Sequence, residues 1–324
     1  MNKLYKLLIF LLISLLISFL VYTFLIIILV NPYIEHHTWK LIDNNFKIYN
    51  KQIENNSNSI YFIGNSMIMT NINTTQIKNN LQEYDLKYDV YNLGVNFDTP
   101  LQRLIELRKI SESKPELIII GNSYCSLSNQ SVYVPDDNLA LMSDQVILDE
   151  EIRNFFSDEQ INLIDMNEFD RVLYKRKFLI SALNRILGIK IGGRTTFINE
   201  SLSLHEKMIL VHNPYDAFLA PVFPEDNIQK KAFRYFFKEI KRLGIPIIYI
   251  NMPLDPLRSK TIPEDTRKNH NNFIKSTDII YYDIEYGYSS EEFNDLVHLN
   301  KYGKVRFSDM MTDIIIELEK SGVI

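Results

Sequence analysis

Residues 7 to 30 read LLIFLLISLLISFLVYTFLIIILV, 24 positions without a charge, 20 of them Leu, Ile, Phe or Val. At about 1.5 Å per residue a helix of that length reaches about 36 Å, enough to cross a roughly 30 Å hydrocarbon layer with some tilt. A cleaved leader has a shorter apolar region, about 7 to 15 residues, followed by a small-residue cleavage site. No such site follows here, and the first alanine of the chain is Ala140. The run is therefore expected to stay in a lipid bilayer as a single-pass anchor. Lys3 and Lys6 precede it, while Glu35 and Asp43 accompany Lys40 after it, so the positive-inside rule places the N-terminus in the cytoplasm and the rest of the chain outside the cell membrane.

Beyond the anchor, charge excludes more than it suggests. The whole chain has 35 basic and 40 acidic side chains; without Lys3 and Lys6 the exterior portion has 33 against 40, a net charge of about −7. There is no basic stripe to hold nucleic acid and no polybasic patch to hold anionic lipid. The single cysteine, Cys125, permits no internal disulfide and no Cys-rich metal site, and nothing flanking it is basic enough to activate the thiol. It reads as a small buried apolar residue. His36 and His37 are adjacent but lack a third ligand at a recognised spacing, so no metal is expected. No cofactor is expected either: no glycine-rich phosphate loop follows the first strand, which argues against a nucleotide binder.

Residues 31–58 are polar and Asn-rich, with amphipathic scraps such as TWKLI, and read as a membrane-proximal stalk with a short helix. From residue 59 the pattern changes. Five apolar runs, SIYFIG (59–64), YDVYNLGV (88–95), ELIIIG (116–121), IPIIYIN (245–251) and DIIYYDI (278–284), have strand length and the continuous apolar character of strands buried on both faces. Helical patterns lie between them. TPLQRLIELRKISES starts with Thr99 at an N-cap and Pro100 at the first helical position, and NIQKKAFRYFFKEIKRLG ends in basic residues and Gly244. This alternation predicts a three-layer α/β/α domain over 59–324, built on a doubly wound, flavodoxin-like parallel sheet of about five strands. Residues 124–225 interrupt it as an insertion, with a Gly192–Gly193 turn.

In such a sheet ligands bind beyond the C-terminal strand ends. The first strand ends in Gly64-Asn65-Ser66, presenting a hydroxyl as the chain turns into a helix. A serine there can be a nucleophile or a simple turn cap. Near the C-terminus FNDLVHLNKYG places Asp295 and His298 three apart, which on a helical turn gives them one face, so that the carboxylate orients one ring nitrogen and leaves the other free as a base. Ser123, in Gly121-Asn122-Ser123, is a weaker nucleophile candidate because Cys125 takes the second glycine position of a nucleophile elbow. His205, His212 and His270 carry no signature and read as surface or loop residues.

In order and spacing these motifs resemble those of the SGNH, or GDSL, hydrolase superfamily. FIGNSM matches the block that carries the nucleophile, YNLGVNFDT the block that contributes a glycine, and DLVHLNKYG the terminal DxxH block, where Asn300 is placed to cap the last helix. The resemblance covers almost the whole exterior portion. It implies Ser66 as nucleophile, His298 as general base, Asp295 as its orienter, and the amides of Ser66 and Gly94 as oxyanion donors. Two blocks depart from the pattern. Asn65 replaces the aspartate of GDS, and GNSYCS replaces GxND, so that Asn122 adjoins Gly121 instead of standing two residues on. Asn122 or Ser123 can be the third donor, or the donor is missing. With an N-terminal anchor, the chain is similar to SGNH proteins that act beside a membrane-bound O-acyltransferase. Those proteins esterify cell-envelope polymers, which implies an acylated carbohydrate as substrate. An SGNH-like fold kept as a non-catalytic anchor or binding subunit is the alternative.

Overall fold

The computed structural model describes residues 3–30, 38–96, 98–128, 139–140, 146–179, 201–211 and 222–324. The chain divides into two compact units, one of residues 41–135, 146–157 and 196–324, the other of residues 1–40, 136–145 and 158–195.

In the larger unit β1 (Ser59–Gly64), β2 (Asp89–Asn92), β3 (Leu117–Asn122), β4 (Ile247–Asn251) and β5 (Ile280–Asp283) form one parallel sheet in the order β2-β1-β3-β4-β5. This is the flavodoxin-like order, and each strand comes from one of the five apolar runs. β1, β3 and β4 are buried along their whole length, whereas β2 and β5, each with a single neighbour, are partly exposed. The register aligns Gly64 with Gly121 and Asn122 with Asn251, so three strands end together at one edge.

The helices that matter below are α1 (Lys3–Leu25), α2 (Thr38–Asn55), α3 (Ser66–Asn71), α4 (Thr74–Glu83), α5 (Pro100–Arg103), α6 (Leu107–Ser113), α7 (Leu204–Val211), α8 (Ile228–Arg242), α9 (Glu264–Lys275) and α10 (Lys301–Lys320). One face of the sheet is covered by α2, α8 and α9, through Tyr49 on Tyr61 (ring centroids 5.6 Å apart), Phe233 on Tyr249 (5.7 Å) and Tyr249 on His270. The other is covered by α3, α4 and α10, with Asn73 N–H donating to Ser308 Oγ (3.0 Å) where α3, α4 and α10 meet.

Three local readings differ from the pattern. From Leu41 onward the segment expected as a stalk packs into the α/β unit: Ile42, Asn45, Phe46, Tyr49 and Gln52 recur at helical spacing and are buried. The helix expected over 99–113 is broken between α5 and α6. Leu104, Ile105 and Glu106 donate to the residues three before them, a tightening that lets Arg103 and Glu106 turn inward and pair at 2.9 Å. Of the insertion, the described parts are a 3-10 turn at Tyr124–Leu127, the helices Glu150–Arg153, Asp158–Ile164 and Glu168–Lys175, and α7. The Gly192–Gly193 turn, His36, His37 and His212 lie outside the described residues.

The smaller unit contains α1, which continues as a π-helical stretch at Ile26–Val30. Residues Leu7–Val30 have a mean hydropathy of 2.9, and among the described residues this is the one helix long and apolar enough to span a membrane. Val30 and Phe178 are buried against Tyr22, Val172, Tyr174 and Leu179.

His270 is not a surface residue. It is fully buried, with Nε2 2.9 Å from Tyr249 Oη and Nδ1 3.1 Å from Asn271 Oδ1, and burial pushes its pKa down to about 4. Between that value and the ordinary value near 6.5 the unfolded chain binds a proton that the folded chain refuses. Stability is therefore full above about pH 6.5 and falls as pH drops toward 4, by roughly 3 kcal/mol if only this group acts. His270→Gln in the full chain should flatten that part of the denaturation-midpoint profile relative to wild type; an unchanged slope would remove His270 as its source.

Candidate active site

The site starts where β1 ends. Asn65 is extended and its Oδ1 accepts from Met67 N–H at 2.9 Å, so it is the N-cap of α3. An aspartate would accept the same bond, and Asn65 keeps the cap while removing a charge. Ser66 is thus the first residue of α3, and its N–H is one of the amides a helix leaves without an intrahelical acceptor. The helix lies very close to the strand ends. A Cβ at Gly94 would stand 2.4 Å from Met69 N, and one at Gly64 would stand 2.0 Å from Gly121 O. Only glycine permits that approach.

The second half of the site comes from the segment before α10. Asp295 and His298 are not on a helical turn. Asp295 Oδ1 instead accepts from Val297 N–H (2.8 Å) and His298 N–H (2.7 Å), an Asx turn that folds the chain back. Its other oxygen stands 2.7 Å from His298 Nδ1, and His298 Nε2 stands 2.9 Å from Ser66 Oγ, 232 residues away in sequence. Burial alone would raise the Asp295 pKa. The His298 ring and the two backbone amides outweigh it and hold the carboxyl below its ordinary range. Asp295 is thus an ionised acceptor, which leaves Nδ1 as the protonated nitrogen and Nε2 free to take the serine proton.

Several side chains that sequence reasoning missed set this geometry. Asn71, fully buried at the end of α3, accepts from Leu299 N–H (2.9 Å) and donates to Val297 O (3.4 Å), gripping the backbone on both sides of His298. Asn300, which the sequence did mark as a cap, accepts from Tyr302 and Gly303 N–H at the start of α10. Arg103 Nη2 donates to Gly64 O (3.2 Å) and Leu93 O (2.8 Å), the carbonyls just before Asn65 and Gly94, and Asn45 of α2 also donates to Leu93 O (3.2 Å). Burial opposes the charge on Arg103, but Asp98 (2.7 Å) and Glu106 (2.9 Å) keep the guanidinium protonated. Glu106 is held in turn by Tyr49 Oη at 2.6 Å.

The oxyanion side is less open. Gly94 N–H donates to Asn92 Oδ1 at 3.0 Å, while Asn92 Nδ2 donates to Ile68 O and Met69 O of α3. Asn122, next to Gly121 on β3, turns to the opposite face of the sheet from Gly121. There it lines a small enclosed cavity with Asp98, Arg103 and Phe233, and its Oδ1 has no hydrogen-bond partner. Among the described residues no hydrogen bond joins Asn122 Oδ1 to Ser66 or His298. Ser123 is fully buried, and Cys125 lies in the Tyr124–Leu127 turn, the burial of its side chain lying outside what is described. Among the described residues no three His, Cys, Asp or Glu side chains group as metal ligands.

A serine, an imidazole and a carboxylate stand in hydrogen-bonded series at the C-terminal edge of the 2-1-3-4-5 sheet of an α/β/α fold, the arrangement that a serine nucleophile and its base require. Several solved esterase structures resemble the chain. They include an acetyl xylan esterase (8% identity, covering 79% of this chain and 99% of that one, TM-score 0.38). A GDSL-like lipase from Bacteroides thetaiotaomicron gives 12%, 86%, 98% and 0.38, and AlinE4, an SGNH-hydrolase family esterase, gives 12%, 81%, 96% and 0.33. No protein-family profile matches the chain, and no curated protein does.

The close approach at Gly94 makes a direct test. Gly94→Ala must push α3 away from β2, and Ser66 with it, so reaction of Ser66 with a fluorophosphonate should slow by at least about tenfold, the scale at which small misplacements act. Time-resolved labelling of the full chain measures this, and an unaltered rate would mean the helix is not held where the packing puts it.

Proposed function

We propose that the chain is a membrane-anchored serine ester hydrolase or O-acyltransferase of SGNH type. It works outside the cytoplasm on acyl esters of cell-envelope carbohydrate through an acyl-Ser66 intermediate. One observation carries this reading: the unbroken series Ser66 Oγ to His298 Nε2 (2.9 Å) and His298 Nδ1 to Asp295 Oδ2 (2.7 Å).

In this reading His298 Nε2 removes the hydroxyl proton as Ser66 Oγ attacks the acyl carbon. The imidazolium so formed is stabilised by Asp295, and Nε2 returns the proton to the departing alcohol. The acyl group then leaves Ser66 for water or for a carbohydrate hydroxyl, the two outcomes sharing the first half-reaction. The Ser66 amide is the first oxyanion donor and Gly94 N–H the second, once it is shared with or released by Asn92. Asn122 would join them only by rotating out of its cavity. The apolar Leu7–Val30 helix supports an anchor in the cell membrane with a cytoplasmic N-terminus, and a membrane-bound O-acyltransferase is the partner such a placement suits.

The engaged Gly94 amide and the averted Asn122 favour the second reading, a non-catalytic anchor or binding subunit of an envelope-modifying complex. Covalent chemistry separates the two. The full chain in detergent micelles should take up one fluorophosphonate on Ser66, give none in Ser66→Ala, and react slower by roughly a thousandfold or more in His298→Ala. An adduct on any other serine, or none with and without added membranes across the neutral pH range, would sink the enzymatic reading. With labelling in hand, an acetylated oligosaccharide offered with and without an acceptor sugar separates hydrolysis from transfer by whether free acid or a new ester appears.

A further inference from the structure

Helix α7 is built inside out. Its single buried residue is Lys207, while Leu204 and Ile209 are 62% and 60% exposed. Apolar burial therefore does not hold it on the α/β unit. What holds it is polar. Lys207 Nζ donates to Asp255 Oδ2 (3.0 Å), Ser290 O (2.6 Å) and Phe293 O (3.1 Å), which satisfies all three ammonium protons. Just before the helix, Leu202 N–H donates to Asn294 O (2.7 Å) and Ser201 Oγ to Asn294 Oδ1 (3.1 Å). Every one of these bonds except that to Asp255 ends on residues 290–294, which lead directly into Asp295.

Asp255 belongs to the same fastening. It follows β4, is fully buried, accepts from Leu257 N–H (2.8 Å) and Ser290 Oγ (2.9 Å), and donates its own N–H to Leu296 O (3.1 Å). The segment carrying Asp295 and His298 is thus gripped from two sides, by Asn71 around His298 and by the Lys207–Asp255 pair around residues 290–296. The Lys207 half of the second grip comes from the insertion between β3 and β4.

We propose that Lys207 is a positioning residue for the catalytic loop: its ammonium fixes residues 290–296 so that Asp295 orients His298 toward Ser66, and the insertion thereby completes the site. This rests on the serine-nucleophile reading above, so its test has one arm that needs no catalysis. Lys207 touches neither the nucleophile nor its base, and it acts only through backbone carbonyls and Asp255.

The experiment uses the full chain in detergent micelles as wild type, Lys207→Met, Lys207→Arg and the double variant Lys207→Met/Asp255→Asn. The last removes both buried charges together, which leaves no lone charge to unfold the domain. Hydrogen exchange is followed by mass spectrometry, and fluorophosphonate labelling is followed for both rate constant and final amplitude. In Lys207→Met and the double variant, exchange in peptides covering 289–300 should rise at least tenfold while those covering β1 and α3 stay as in wild type. The labelling rate constant should fall at least tenfold at undiminished amplitude, and Lys207→Arg should recover most of it. Unchanged exchange in 289–300 overturns the proposal, whether or not the wild type labels. A labelling loss seen only as lower amplitude also overturns it, because that marks an unfolded fraction. A wild type that exchanges as expected but never labels overturns the serine reading instead.

Discussion

The site depends on how closely a six-residue helix can lie against the ends of three strands. Gly64, Gly94 and Gly121 each lack the side chain that would collide with this helix or with its neighbouring strand: a Cβ on Gly121 would come within 2.3 Å of Ile68. The helix begins at Ser66 and ends at Asn71, so its two ends do different work from one rigid body. The first presents the Ser66 hydroxyl, and the last grips the backbone on both sides of His298. Ser66 and His298 are 232 residues apart in sequence but are referenced to the same two turns of backbone. A 2.9 Å contact between them is then a consequence of helix packing more than of the loop's own rigidity.

Around that helix the strand tips are held by buried charge, which is costly unless every group is paired. Arg103 spends its donors on Asp98, Glu106 and two strand-end carbonyls. Lys207 does so on Asp255 and two loop carbonyls, and Arg267 pairs with Glu285, which also accepts from Tyr124 Oη and Ser259 Oγ. Replacing such groups by apolar ones is often neutral or favourable for stability alone, while removing one partner leaves a lone buried charge. Their concentration at the edge that carries the triad fits a demand for fixed backbone carbonyls there, since a cation with several donors can hold carbonyls from different strands in one register, which an apolar side chain does not.

β1, β3 and β4 were legible because burial on both faces leaves a continuous apolar run, and the partly exposed edge strands β2 and β5 carried apolar runs as well. That Ser66, Asp295 and His298 meet was foreshadowed by two short motifs, one directly after β1 and the other directly before the last helix. What was not legible has a common cause. Asn71, Asn45 and Lys207 act through partners 48 or more residues away, and Arg103 reaches Gly64 O 39 residues back; no local pattern marks an asparagine as a clamp or a lysine as an interior hook. Lys207 is the clearest case, since a helix reading LHEKMILV suggests its apolar residues as the buried face. His270 failed for the same reason: its partner Tyr249 is 21 residues back on a strand. Asn122 was legible as a residue but not as a direction, because one step along a strand changes the face of the sheet.

The bond between Gly94 N–H and Asn92 Oδ1 bears on how such a site would discriminate between substrate and transition state. With a neutral ester carbonyl in place, the amide has little reason to leave an amide oxygen already 3.0 Å away, because the exchange is one neutral bond for another. Once the carbonyl oxygen becomes an alkoxide the balance changes, since hydrogen bonds to a charged acceptor are about twice as strong. Asn92 is itself fixed by Ile68 O and Met69 O, so it stays in place and the amide can be shared or returned without rearrangement. A donor withheld from the ground state and yielded to the oxyanion contributes only to the step that forms it, and an interaction of that kind raises turnover instead of tightening substrate binding.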